Sequence, residues 1–138
     1  MNKISVNLTR FAMWFAGATI VFGLVIVGTF YAFGQAYGGA VLPVIPAMVA
    51  AMVEGTKWAK ERPDPIPHPW LDAGAMACVA LFVTVFMIFT AVLTIPGASA
   101  GGISAFAILA PLYLLIWLIC GRIFLGLGVR NERAVQGR

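Results

Sequence analysis

The sequence predicts an all-α integral membrane protein with four transmembrane helices and both termini on the cytoplasmic side. Composition points there first: the 138 residues are 62% hydrophobic and 10% charged, whereas soluble domains carry roughly 25% charged residues. Two runs, 11–53 and 73–121, contain no Lys, Arg, Asp or Glu. About 20 apolar residues cross a hydrocarbon core of about 30 Å, so each run can cross twice. Both are continuous rather than alternating, and backbone in lipid must satisfy its own polar groups, so the spans are helices and not barrel strands.

A single transmembrane domain over 1–138 divides as follows. Span one, about 11–33, follows Arg10 and ends at the small polar turn "GQAYGG". Its apolar run exceeds the 7 to 15 residues of a signal-peptide core, so it is expected to be retained. Span two, about 41–62, is apolar to Val53 and then meets Glu54, Lys57 and Lys60. Its lysines can snorkel to the interface, and Pro43 and Pro46 fall in its first turns, where a missing N–H costs least. Span three, about 73–95, follows Asp72 as a candidate N-cap and stops at Pro96 and Gly97. Span four, about 103–129, carries Pro111 as a candidate kink. The tail "RNERAVQGR" is polar and short.

With four spans, all nine Lys and Arg residues fall on the side shared by the N-terminus, the 54–72 segment and the C-terminus. An excess of basic residues marks the cytoplasmic side, which predicts a multi-pass bacterial inner-membrane protein, N-in and C-in. The net charge of +4 is explained by these flanks, so nucleic acid is not an expected partner. Anionic lipid at the cytoplasmic face is one, at about 1 kcal/mol per Lys or Arg near the headgroups.

Glu54 and Arg122 are the ionisable residues nearest membrane depth, each about 10 Å inside the end of its helix at 1.5 Å per residue. Equal depth makes them a candidate ion pair, because an unpaired charge there is costly. Ala47, Ala51 and Gly55 form a small-residue stripe at i, i+4, i+8, which permits close helix packing. Trp14, Trp58 and Trp70 lie near predicted interfaces, where amphipathic aromatics anchor helices; Tyr31 and Tyr37 do as well. Tyr113 and Trp117 lie deeper and read as packing residues. The loop 63–72 holds Pro63, Pro65, Pro67 and Pro69, four of the eight prolines, and His68, the only histidine. Its alternating prolines favour an extended backbone. The loop is longer than closure of adjacent helices requires, so spans two and three are not neighbours or the segment is a strap presenting a partner-docking edge.

The chain has no nucleophile, phosphate-loop, metalloprotease or dinucleotide motif, and is not expected to be an enzyme. Cys78 and Cys120 lie inside apolar runs without CxxC spacing, so neither a disulfide nor a metal pair is expected. His68 lies outside the spans, which excludes histidine-ligated haem or chlorophyll within them. No cofactor is expected, although apolar contact with lipid or carotenoid stays open.

The four-span layout, with "AAMVEGTKWAKERPDP" closing the second span, resembles a loosely defined group of small four-helix bacterial inner-membrane proteins. The likeness covers mainly residues 47–65; it implies the same topology and brings no activity with it. The absence of catalytic residues, the minimal loops on one side and the charge-free apolar surface lead to a functional expectation. The protein is an accessory or assembly subunit of a larger energy-transducing complex, respiratory or photosynthetic, acting through lateral helix contacts with other membrane proteins. The alternative is a small oligomeric transporter or channel using Glu54. Small drug exporters place their essential Glu well inside the first span, whereas here that span carries no charge.

Overall fold

The computed structural model describes residues 4–34, 44–94 and 101–137. Lys3, Tyr37, Pro43, Pro96, Gly97, Arg138 and the start expected for span two lie outside them. Four helices follow one another: α1 (Leu8–Phe33), α2 (Val44–Glu61), α3 (Pro69–Thr94) and α4 (Gly101–Gln136). α1, α3 and the part of α4 from Phe106 are long and apolar enough to cross a membrane; α2 is not. The protein is therefore a helical, multi-pass membrane protein on three of its helices. α2 falls short because Glu54, Lys57, Lys60 and Glu61 occupy its second half.

α1 begins three residues earlier than expected because Asn7 caps it. The Asn7 side chain accepts from Arg10 N–H, and Gly34, in the left-handed conformation, closes the other end by donating to the Phe30 carbonyl. α3 also starts early, at Pro69. Proline suits the first helical position, where the missing N–H has no intrahelical partner. Asp72 is therefore not the N-cap but lies in the first turn, its own N–H donating to the His68 carbonyl.

α4 shows the largest departure. Its 36 residues reach about 54 Å, and the helix continues through Pro111 and through most of the expected polar tail. Arg, Glu, Ala and Gln are good helix formers. The extension is also tied down, with Lys60 Nζ 3.7 Å from Glu132 and Gln136 donating to Glu132 at 3.3 Å.

α1 packs on α2 and α3, and α4 packs on both as well, most extensively on α2; α2 and α3 do not form a packed pair. They sit diagonally, which explains why the proline-rich link is long. α2 and α4 run parallel, with successive contacts at Gly55 to Leu125 and at Lys60 to Glu132. The Ser5–Arg10 segment, residues 62–68 and the last turns of α4 all meet at one end, where every described Lys and Arg lies.

Glycine decides how closely α2 and α4 approach. A Cβ on Gly55 would overlap the Leu125 carbonyl oxygen, and one on Gly128 the Met52 carbonyl oxygen. In a membrane such contacts replace the missing hydrophobic drive with dispersion and weak Cα–H donors. Ala47 and Ala51, the rest of the stripe, are buried in the same core. Across the bundle an aromatic column runs from Phe11 through Phe15, Trp117 and Tyr113 to Phe106, with centroids 5.7–6.1 Å apart. Each such pair adds about 0.5–1.5 kcal/mol beyond its burial.

All buried residues of α1 lie at or before Phe15, those of α3 at or before Ala80, and those described in α4 at or after Trp117. Among the described residues the fully buried positions of these three helices thus lie in the half of the bundle nearer the charged end. Gly55→Val should destabilise the fold by about 3 kcal/mol or more, through overpacking that neither backbone can relieve. Gly17→Ala, where nothing lies within 4 Å, should be neutral or stabilising by up to about 1 kcal/mol. Thermal unfolding in detergent checks both.

Candidate functional site: a polar latch at the charged end

Glu54, 1% exposed, is the largest buried charge. Its partner is Arg10 and not Arg122. Arg10 Nε donates to Oε2 at 2.7 Å, Arg10 Nη2 to Oε1 at 2.9 Å, and the Asn7 backbone N–H to Oε1 at 2.8 Å. The remaining Arg10 nitrogen, Nη1, donates to Glu61 Oε1 at 2.8 Å. Glu54 and Glu61, seven residues apart, share one face of α2, so a single guanidinium bridges both. The two parallel N–H bonds give this pair the geometry that favours arginine over lysine.

The second half of the latch is Asp72, also buried. Its carboxylate accepts from Ser5 N–H at 2.7 Å and from the Ser5 hydroxyl at 2.5 Å. Between these anchors Val6 turns into the core. The short non-helical stretch Ser5-Val6-Asn7 therefore binds α3 with one residue, the core with the next and α2 with the third. A cleft of about 260 Å³ remains beside it, lined by Asn7, Arg10, Glu54, Trp58, Glu61 and Arg62 among others.

Arg122 lies on a different face of α4. Its guanidinium is 5.7 Å from the Trp70 ring, at the level of the first turn of α3, and Nε is buried with no hydrogen-bond partner among the described residues. The expectation of equal depth thus brought together two residues that point to different neighbours. Trp14 and Trp70 are exposed, but Trp58 is only 4% exposed. It is not an interface anchor: Arg62 stacks on it at 4.4 Å and its Nε1–H donates to the Asp64 carbonyl at 3.2 Å.

The proline segment is a strap over the end of α4. Arg133 Nη2 donates to the carbonyls of Pro63 at 3.0 Å and Asp64 at 2.8 Å, and Ile66 packs against the core. Pro63, Pro65, Pro67 and His68 are exposed, whereas Pro69 belongs to α3. Among the described residues no three His, Cys, Asp or Glu side chains gather as metal ligands. The two Ser5–Asp72 bonds join the segment before α1 to the first turn of α3.

Ser5, Asn7 and Arg133 went unnoticed in the sequence. The one available signal was Asn7 before an apolar run, a helix-start pattern. No protein-family model, no curated protein and no solved structure matches the chain.

Arg10→Ala leaves Glu54 buried without its cation and should cost about 3–5 kcal/mol. Glu61→Gln, at a carboxylate whose side chain is 56% exposed, should cost under about 1 kcal/mol. Unfolding midpoints of the two variants in the same detergent check the contrast.

Proposed function

We propose that this protein is an accessory or assembly subunit of a larger inner-membrane complex, a respiratory or photosynthetic assembly being the class to test first. The observation that carries this reading is the asymmetry of the core. At the charged end Arg10, Glu54, Asp72 and Arg133 are engaged by intramolecular bonds. Toward the other end α1, α3 and α4 have no buried residue among those described between Ala16 and Gly34, Leu81 and Thr94, and Phe106 and Ile116. There they present large apolar side chains such as Leu24, Phe30, Phe82, Phe86 and Leu93 outward. Helices that leave their own core unfilled in one leaflet are suited to receive helices of another protein, where van der Waals packing drives association.

The reading includes four crossings, with α2 as the second, and both termini in the cytoplasm. Clustering of the basic residues at one end supports this orientation through the positive-inside bias. An ion-coupled carrier using Glu54 is less well supported. That carboxylate already accepts three N–H donors. The hydroxyls of Thr19, Thr29, Thr84 and Thr90 return to carbonyls of their own helices, so they do not line a polar path.

A photo-crosslinking residue at Phe86 should give an adduct with a different membrane protein in native membranes, and the chain should co-migrate with that protein after gentle-detergent extraction. Migration as an isolated monomer or homodimer, with adducts only to lipid or to itself, would overturn the reading. Reporter fusions at both termini should give cytoplasmic signals.

A further inference from the structure

We propose that the seam between α3 and α4 binds one anionic phospholipid, its phosphodiester held by Arg122 and Arg130 and an acyl chain lying along Leu118 and Leu114. The inference rests on the membrane embedding alone and is independent of the accessory-subunit reading.

Two cavities carry it. The first, about 260 Å³, lies at the charged end and is lined by Arg122, Arg130 and Arg133 over an apolar floor that includes Ile66, Leu125 and Val129. The second, about 350 Å³, is predominantly apolar and is lined by Gly74, Cys78 and Pro111 together with Leu114, Leu115 and Leu118. On α4 the lining positions 111, 115, 118, 122, 126, 130 and 133 follow one another at intervals of three or four, so both cavities lie on one face of that helix. That face is about 33 Å long. On α3 the first cavity touches Pro69 and the second begins at Gly74, about one turn further into the membrane. A Cβ at Gly74 would meet the Leu118 side chain at 3.8 Å, an ordinary contact, so closing the seam at this point takes a side chain larger than alanine.

The charge pattern selects the headgroup. Three arginines line the first cavity, and among the described residues no carboxylate does. Glu132 is engaged by Lys60 on the α2 side. Arg133 already spends Nη2 on the strap carbonyls and borders the site, leaving Arg122 and Arg130 to meet the phosphate. Arg122 Nε, buried and unpartnered among the described residues, lacks an acceptor that a phosphate oxygen would supply, as arginine–phosphate geometry favours. A zwitterionic headgroup would bring an ammonium into a lining with no anion to receive it. A free phosphate would gain nothing from the apolar cavity further along the same face of α4. Trp70, 60% exposed beside Arg122, lies where interfacial aromatics meet headgroups.

Native mass spectrometry of the full chain, incubated with equal amounts of phosphatidylglycerol and phosphatidylethanolamine, tests the proposal. One phosphatidylglycerol should be retained in preference to phosphatidylethanolamine. Arg122→Gln and Arg130→Gln should each weaken retention about fivefold, the equivalent of about 1 kcal/mol per arginine near a lipid phosphate. Arg62→Gln, an equal loss of charge on the Trp58 side, should leave retention unchanged. Gly74→Leu should lower retention with every charge intact, and millimolar inorganic phosphate should not displace the lipid. Arg130 is exposed, so its variant keeps the test valid if Arg122→Gln fails to fold. Equal retention of the two lipids, equal effects of the Arg62 and Arg130 variants, or displacement by inorganic phosphate would each overturn the assignment. An inert Gly74→Leu would overturn the acyl path.

Discussion

A carboxylate that is 1% exposed in a membrane protein must be paired, and the pairing of Glu54 with Arg10 organises the rest of the structure. Burying a lone carboxylate costs several kcal/mol, and only close, hydrogen-bonded partners offset it. The partner comes from the first turn of α1, and drawing it in sets α1 against α2 with the Asn7 backbone alongside. Ser5, two residues earlier, is then in reach of Asp72, which places the first turn of α3 at the same level. α4 completes the bundle by meeting α2 at Gly55 and Gly128, where backbones touch. One short polar segment thus ties the ends of three helices at a common height.

That constraint explains the two-part character of the molecule. At the charged end polar bonds, glycine contacts and the proline strap converge, and the buried residues of every helix lie there or next to it. Beyond Phe15, Ala80 and Trp117 the helices carry mostly apolar side chains, the threonine hydroxyls bond within their own helices, and no comparable polar device among the described residues ties one helix to another. In water such surfaces would collapse; in lipid nothing forces them to, because acyl chains solvate Leu and Phe as well as other side chains do. The end with the latch is therefore specified internally, while the other is left to lipid or to other helices.

Much of this was legible in the residues. Charge-free runs located α1 and α3 to within a few positions, and the small-residue stripe marked the face that α2 buries. The misreadings have physical causes. The tail after Val129 reads as polar loop because its residues suit water, yet they are also good helix formers and bond to α2 and the strap. Asp72 reads as a cap because it immediately precedes the charge-free run, whereas Pro69 occupies the first helical position three residues earlier. Depth along a helix follows from counting residues, so Glu54 and Arg122 stood out. The direction each faces around its helix depends on which neighbours the chain selects, and that is tertiary information. Trp58 reads as an anchor for the same reason: its height is near the interface, but it turns inward to Asp64 and Arg62.

The Arg10–Glu54 contact is the element on which the bundle depends, and a double-mutant cycle measures it most directly. Arg10→Met, Glu54→Leu and their combination would be compared by reversible unfolding in one detergent. Each single change strands or removes a buried charge while the double change removes both, so the coupling should be about 2 kcal/mol or more, with the double variant recovering much of the stability lost by Arg10→Met. Additivity to within about 0.5 kcal/mol would contradict the account, because it would mean that the two side chains do not act on each other in the folded protein.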